Sequence, residues 1–247
     1  MDSGYYVAAG SLKARSFQLE VVANNLANAA TVSYKPDQSF FALFNKAGGS
    51  NRRLPLSAAL NDGVVFGETG VVTDQGNLRA TGRPLDLALE GNGFLMVRTP
   101  AGDRATRDGR LQLGQGGQLQ AMDGSPVLGK NGQPIAVDPA KGDLSITADG
   151  TVQQKEAVLG QLDLKAFEKP GSLKRSGSLR FDPTGAVEAP MKGTVAQGHL
   201  EQSAVDTAST MVEMIRLNRL FELSLKVAST LSNDLDSKSI NDVAISR

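Results

Sequence analysis

Each end of this chain carries a long helical apolar period and the middle carries none. Neither a single helix bundle nor a single sheet can satisfy that division. From Tyr5 to Leu26 a heptad frame falls on Tyr5, Ala8, Leu12, Arg15, Leu19, Val22 and Leu26 in alternating steps of three and four. That spacing places them on one face of an amphipathic, coiled-coil-like helix, with Arg15 as its one interruption. The helix is expected to stop near Asn28. Lys35-Pro36 sets an outer limit, because the residue before a proline is pushed out of the helical region. At the other end Met211, Met214, Leu217, Phe221, Leu225, Ala228, Leu231 and Leu235 recur at helical spacing. Leu220, Leu223 and Val227 lie off that stripe, which makes the apolar arc wider than one packing partner needs. Asp206, just ahead of the pattern, is expected to stabilise the start of the helix as an N-cap or a first-turn carboxylate.

Between the helices, short apolar runs alternate with Asp108-Gly109, Asp123-Gly124, Asn131-Gly132 and Asp149-Gly150, a pattern of antiparallel β hairpins. Strands are predicted at Leu85–Leu89, Phe94–Arg98, Leu111–Leu113, Leu119–Ala121, Leu144–Thr147 and Gly160–Phe167. The glycines at 114, 116 and 117 supply the positive φ of a tight turn. Over Ser39–Gly82, Gly48-Gly49-Ser50-Asn51 and Asp62-Gly63 break any period, and the stretch reads as an extended linker. The expected fold is α+β: an N-terminal helix within 1–35, a linker at 36–82, a central antiparallel β domain at 83–200 and a C-terminal helix within 201–247.

Composition removes whole classes of function. The 247 residues include 26 basic and 26 acidic side chains, so no net field draws in nucleic acid or an anionic membrane. Without cysteine there is no disulfide, thiolate nucleophile or zinc–sulfur site. The N-terminus shows no basic region leading into an apolar core, so no cleaved signal is expected. No apolar run reaches the roughly 18 to 20 residues of a membrane span, and no membrane insertion is expected. The one histidine, His199, cannot build a catalytic triad or a multi-histidine metal site and reads as a surface or hinge residue. No motif singles out a carboxylate pair. Gly91-x-Gly93 lacks the third glycine and the helix of a dinucleotide site, and no phosphate loop occurs. No catalytic residue, cofactor or metal is expected. Lys165, Lys169, Lys174, Arg175 and Arg180 form a basic stretch that reads either as a solvated hairpin or as a contact for an acidic polymer or a neighbouring subunit.

The run Ala23-Asn24-Asn25-Leu26-Ala27-Asn28, followed by Tyr34-Lys35, resembles the N-terminal signature of the flagellar basal-body rod family and its hook and hook-associated axial relatives. In that family Asn-Thr-x-Gly usually precedes the aromatic-Lys pair. Here the residues are Ala30-Thr31-Val32-Ser33, and a serine resists the positive φ that a glycine accepts. Gly76-Asn77-Leu78, Arg83 to Leu89, Gly91-Asn92-Gly93-Phe94, Ala105 to Gly109 and Gly124 to Gly129 are similar to the entry into the family's β domain. Met211 to Ile215, Arg219-Leu220-Phe221-Glu222 and Lys226 resemble its terminal helix, with Leu217-Asn218 where a Gln commonly precedes the Arg.

The resemblance is nearest to the proximal rod members, with the distal rod members as the competitor. It implies a structural subunit whose terminal helices form an axial tube with copies of itself and with other rod proteins or the hook. It also implies export by the flagellar type III apparatus and residence in the periplasmic basal body. The implied assembly interface is Leu12, Leu19, Val22, Asn24, Asn25, Leu26, Asn28, Met211, Met214, Leu217, Phe221, Leu225, Ala228, Leu231 and Leu235. Periodicity by itself leaves an ordinary α+β monomer open, with both helices packed on one β face. A monomeric secreted binding module is the reading from a different class.

Overall fold

A computed structural model of the chain describes residues 2–43, 52–54, 64–155 and 157–245. They divide into two compact units. One is formed by Met1–Ala27, Asp37–Gly70 and Asp206–Arg247, the other by Asn28–Pro36 and Val71–Val205. The mainly antiparallel pairing of the centre and the two terminal helices make the protein α+β.

In the helical unit α1 (Asp2–Ala27) packs along α2 (Thr207–Ile245). Strand β1 (Asp37–Leu43) lies against α1 and pairs antiparallel with β2 (Arg52–Leu54); β3 (Val64–Val71) forms its other edge. Asp206 caps α2 as expected: its Oδ1 accepts the Ala208 N–H at 3.1 Å and its carbonyl accepts that of Thr210. The buried line of α1 differs from the heptad frame by about one residue. Ala8, Ala14, Val21 and Asn25 are buried, whereas Leu12, Leu19, Val22 and Leu26 are half-buried. Ala8 lies on the frame, while Ala14, Val21 and Asn25 each stand one residue before a frame position, Asn25 being held by its two hydrogen bonds to the Asp37 backbone.

Four strands occupy the stretch read as a linker: β1 to β3 and β4 (Leu78–Ala80). The β unit continues with β5 (Leu87–Gly91), β6 (Phe94–Thr99), β7 (Gly102–Thr106), β8 (Leu111–Leu113) and β9 (Leu119–Ala121). After these come β10 (Leu144–Ile146), β11 (Thr151–Gln154), β12 (Ala157–Gln161), β13 (Leu164–Phe167), β14 (Lys174–Arg175) and β15 (Arg180–Asp182). The last three are β16 (Glu188–Ala189), β17 (Gly193–Gln197) and β18 (His199–Glu201). The largest sheet has the order β14-β15-β7-β6-β13-β16, and β10-β11-β12 form a second.

Two apolar cores share β6, because successive side chains of a strand point to opposite faces. Leu95 and Val97 enter a core with Leu111, Leu119, Val127, Val152 and Leu162. Phe94 and Met96 enter another with Leu128, Phe167, Leu173 and Phe181. In that second core Phe94 meets Phe181 edge-on, with ring centres 5.7 Å apart.

The single strand expected over Gly160–Phe167 is two. The chain leaves β11 at Gln161, buries Leu162 completely, and joins β6 from Leu164 onward. The Asp163 N–H meets the Leu128 carbonyl at this crossing, so one apolar run serves two sheets.

Candidate assembly interface

The residues expected to mediate assembly fall into distinct environments. On α2, Leu217 is buried, and Met214, Phe221 and Ala228 are half-buried on the same side. Met211 and Leu225 are exposed; the side chains of Leu231 and Leu235 lie outside the described residues. Other apolar positions of α2 are open to solvent as well: Val212 is 68% exposed, Leu223 57%, Ile215 56% and Val227 54%. A helix with one partner has no use for so broad an apolar surface. The N-terminal asparagines separate too. Asn24 is exposed, whereas the buried Asn25 side chain is engaged within its own unit. Its Nδ2–H donates to the Asp37 carbonyl at 2.7 Å, and its Oδ1 accepts the Asp37 N–H at 2.9 Å. Asn28 receives the Thr31 N–H on its carbonyl and the Thr31 hydroxyl on its side chain, closing the turn after α1.

The segment after that turn belongs to the β unit and enters a buried polar knot. Ser33 adopts φ 57°, the left-handed conformation that a glycine would take without strain. It donates its N–H to the Glu201 carbonyl at 2.8 Å. Tyr34 and Lys35 follow, each 1% exposed. The Lys35 ammonium reaches Glu201 Oε1 at 2.6 Å and the Asp74 carbonyl at 2.5 Å. The Arg107 guanidinium lies 3.6 Å from the other Glu201 oxygen and donates to the carbonyls of Leu89 and Gly91. Gly76 N–H completes the ring on Glu201 Oε1 at 2.8 Å. A side chain at Gly76 would run into the Gln202 carbonyl, its Cβ lying 2.1 Å from that oxygen.

One carboxylate, fully buried in β18, thus serves two buried cations. Burial pulls both Lys35 and Arg107 below their ordinary pKa values, and the attraction of Glu201 opposes it in each. Glu201 drew no attention in the sequence, where it stands in a short run without a motif. Nothing in the sequence around Lys35 marks it as buried, and its need for a counter-charge appears only once the fold removes it from water.

The basic stretch is neither a free hairpin nor a charged patch as a whole. Arg175 stacks over Tyr34 at 5.0 Å and Phe181 at 5.3 Å, Lys165 pairs with Glu188, and Arg180 pairs with Asp123. The last two pairs border two open clefts of about 390 and 270 Å³, so the charges there are already engaged. His199 sits in β18 opposite Ala80, its Nδ1 2.9 Å from the Gln197 carbonyl. Among the described residues no cluster of His, Cys, Asp or Glu is arranged to hold a metal ion, and no helix is long and apolar enough to cross a membrane.

Three family models match the chain. They are described as flagella basal body rod protein over residues 6–35, flagellar hook protein FlgE/F/G D1 domain over residues 88–154, and flagellar basal body rod FlgEFG protein C-terminal over residues 196–241. A curated relative from Mesorhizobium japonicum, the flagellar basal-body rod protein FlgF, is 31% identical over 225 residues, covering 90% of each chain. This chain belongs to the flagellar basal-body rod family. Its rod relatives include a FlgF of Rhizobium meliloti, also 31% identical with 90% of each chain covered. The FlgG of Buchnera aphidicola subsp. Acyrthosiphon pisum is 30% identical over 93% of this chain and 96% of its own.

The rod family is structural, and on that membership the chain is not an enzyme. The polar knot takes one charged residue from each matched segment: Lys35 from the first, Arg107 from the second and Glu201 from the third.

Proposed function

We propose that this chain is a structural subunit of the proximal rod, polymerising through its terminal helices into part of the shaft that transmits torque. The observation that carries this reading is the exposed apolar surface of α2 beyond the side already packed in the helical unit. Burying such surface against neighbouring subunits removes it from water, which makes completion of the helical unit and assembly one event. In the assembled rod the helices pack in coiled-coil fashion. The interface consists of Leu12, Leu19, Val22, Asn24, Leu26 and Asn28 together with Met211, Met214, Leu217, Phe221, Leu225, Ala228, Leu231 and Leu235, while Asn25 acts from inside by fixing β1 to α1. Copies of the chain and other rod proteins or the hook are its partners. It reaches the periplasm through the flagellar type III apparatus with no cleaved signal and no membrane insertion.

The comparable identities to FlgF and FlgG relatives support a distal rod or other hook–basal-body role as the second reading. Deleting the gene and imaging the basal bodies tests the proposal. Loss of swimming with rods interrupted at the proximal segment is expected, and interruption at the distal segment favours the second reading. Intact basal bodies with normal swimming overturn both in favour of a monomeric secreted binding module.

A further inference from the structure

The chain passes between the helical unit and the β unit at Ala27–Asn28, Pro36–Asp37, Gly70–Val71 and Val205–Asp206. Three segments of the β unit therefore lead out to the helices: Asn28–Pro36, the stretch after Val71 and the stretch before Val205. Inside the β unit, backbone bonds tie these segments to one another in pairs. Val72 N–H donates to the Pro36 carbonyl at 2.8 Å, Ala204 N–H to the Tyr34 carbonyl at 3.1 Å and Gln202 N–H to the Asn77 carbonyl at 2.8 Å. Lys35 joins all three at once: it belongs to the first, and its ammonium meets the Asp74 carbonyl of the second and the Glu201 carboxylate of the third. Two arginines then fasten the group to the body of the unit. Arg175 of β14 donates to the Lys35 carbonyl and lies over Tyr34, while Arg107, next to β7, holds Glu201 and donates to two carbonyls of β5.

Stability alone gives little reason for this chemistry. Apolar side chains of similar volume often match or better a buried ion pair, and the knot sets two cations against one carboxylate. Force makes a different demand. Apolar contacts have no preferred direction and fade as soon as surfaces part, whereas hydrogen bonds resist along their axes and charges in a dry site attract over several ångströms. Resting on the reading of the chain as part of a torque-transmitting shaft, we propose that the knot is a mechanical clamp. It joins the segments that lead out to the helices, so that a load entering through any one is shared by all three and delivered to the strands through Arg107 and Arg175.

The chain has no cysteine, so handles for single-molecule pulling can be placed at chosen sites in full-length protein. Gln38→Cys with Ala101→Cys loads the first segment, Ala208→Cys with Ala101→Cys loads the third, and Ala101→Cys with Asp143→Cys pulls on the body of the β unit. All of these positions are exposed. Lys35→Met leaves Glu201 matched one to one by Arg107, so the β transition in calorimetry should stay within about 5 °C of the parent. At equal force the same variant should unfold at least about tenfold faster in both junction pulls and less than about twofold faster in the body pull. The pull through Ala208 decides load sharing, because Lys35 is not in the segment being pulled. Arg175→Leu spares Lys35 and Glu201 and should act in the same direction more weakly, which keeps the test open if Lys35→Met does not fold.

Equal acceleration in all three pulls makes the knot an ordinary stabiliser and overturns the clamp. An effect confined to the Gln38 pull also overturns it, since the segments would then be independent, as does no effect in any pull or a failure of both variants to fold. Each of these results leaves the rod reading standing. That reading falls instead if the parent chain restores no rods in a deletion strain, and the pulls on isolated protein still decide the clamp.

Discussion

In the β unit Val97, Leu111, Leu119, Val127, Val152 and Leu162 are wholly removed from water; in α2 Leu217 is buried while Val212, Leu223 and Val227 are more than half exposed. The β unit closes its cores with its own strands, and its charged centre is satisfied largely by its own chain. The helical unit holds apolar area that the chain does not cover. Stability of the first is therefore a property of one molecule, and on the proposed function stability of the second rises with concentration and neighbours.

The harshest way to break that contrast is to damage the self-sufficient unit. Glu201→Leu leaves Lys35 and Arg107 buried without their carboxylate, which costs about 3 to 5 kcal/mol. Calorimetry should show the β transition falling sharply, and Lys35→Met in the same chain should recover part of the loss. A β transition that stays in place would mean that the knot is not the keystone described here.

Phe221→Asp attacks the other unit from its half-buried side. Loss of aromatic packing and the burial of a charge cost the helix pair about 2 to 4 kcal/mol. The β transition should not move, rods should not assemble, and swimming should be lost. Full motility of this variant removes Phe221 from the axial contact.

Ser33→Gly should sharpen the contrast in the opposite direction. Relief of the left-handed serine stabilises the β unit by about 0.5 to 1 kcal/mol, read as a rise in its transition temperature. The Ser33 hydroxyl is a small loss, since its contact to the Glu201 carbonyl is long at 3.4 Å. A fall in transition temperature would show that the hydroxyl matters more than the backbone strain.

Smallest of all in the isolated chain is Leu223→Asp. This residue is 57% exposed, so the free protein should change by no more than about 0.5 kcal/mol. Association measured by sedimentation should nevertheless fail. If association persists, the exposed apolar area is not what holds copies together.

Sequence alone was informative where a pattern maps directly onto local geometry. The Asp206 cap follows from residue type and position, and Asp123-Gly124, Asn131-Gly132 and Asp149-Gly150 place glycines at φ 84°, 71° and 82°. At Asp108-Gly109 the need for glycine is different: a Cβ would lie 1.8 Å from the Leu87 carbonyl oxygen, and this close backbone approach leaves no trace in a turn pattern. On α1 a heptad frame weighs only apolar side chains, so it could not anticipate that the polar Asn25 is buried by its hydrogen bonds to Asp37. Strands β14 and β16 carry no period because they are two residues long, and β18 has a single apolar residue, Leu200, between His199 and Glu201. The knot escaped because its members come from segments far apart in the chain, joined by burial and charge without any spacing rule. The breadth of the apolar arc on α2 is legible in the sequence, but which of its residues stay exposed depends on where α1 lies.

The Lys35–Glu201 pair joins positions 166 residues apart. Contacts of such separation form only when both segments are present, so the β unit carries a built-in test of completeness. A chain cut short before Glu201 would have to bury Lys35 and Arg107 with no carboxylate between them, and it would fail to close. If the chain is exported unfolded, as proposed, the unit cannot set until both Lys35 and Glu201 have emerged. A finished β unit is thus a record that the polypeptide runs unbroken from Lys35 to Glu201.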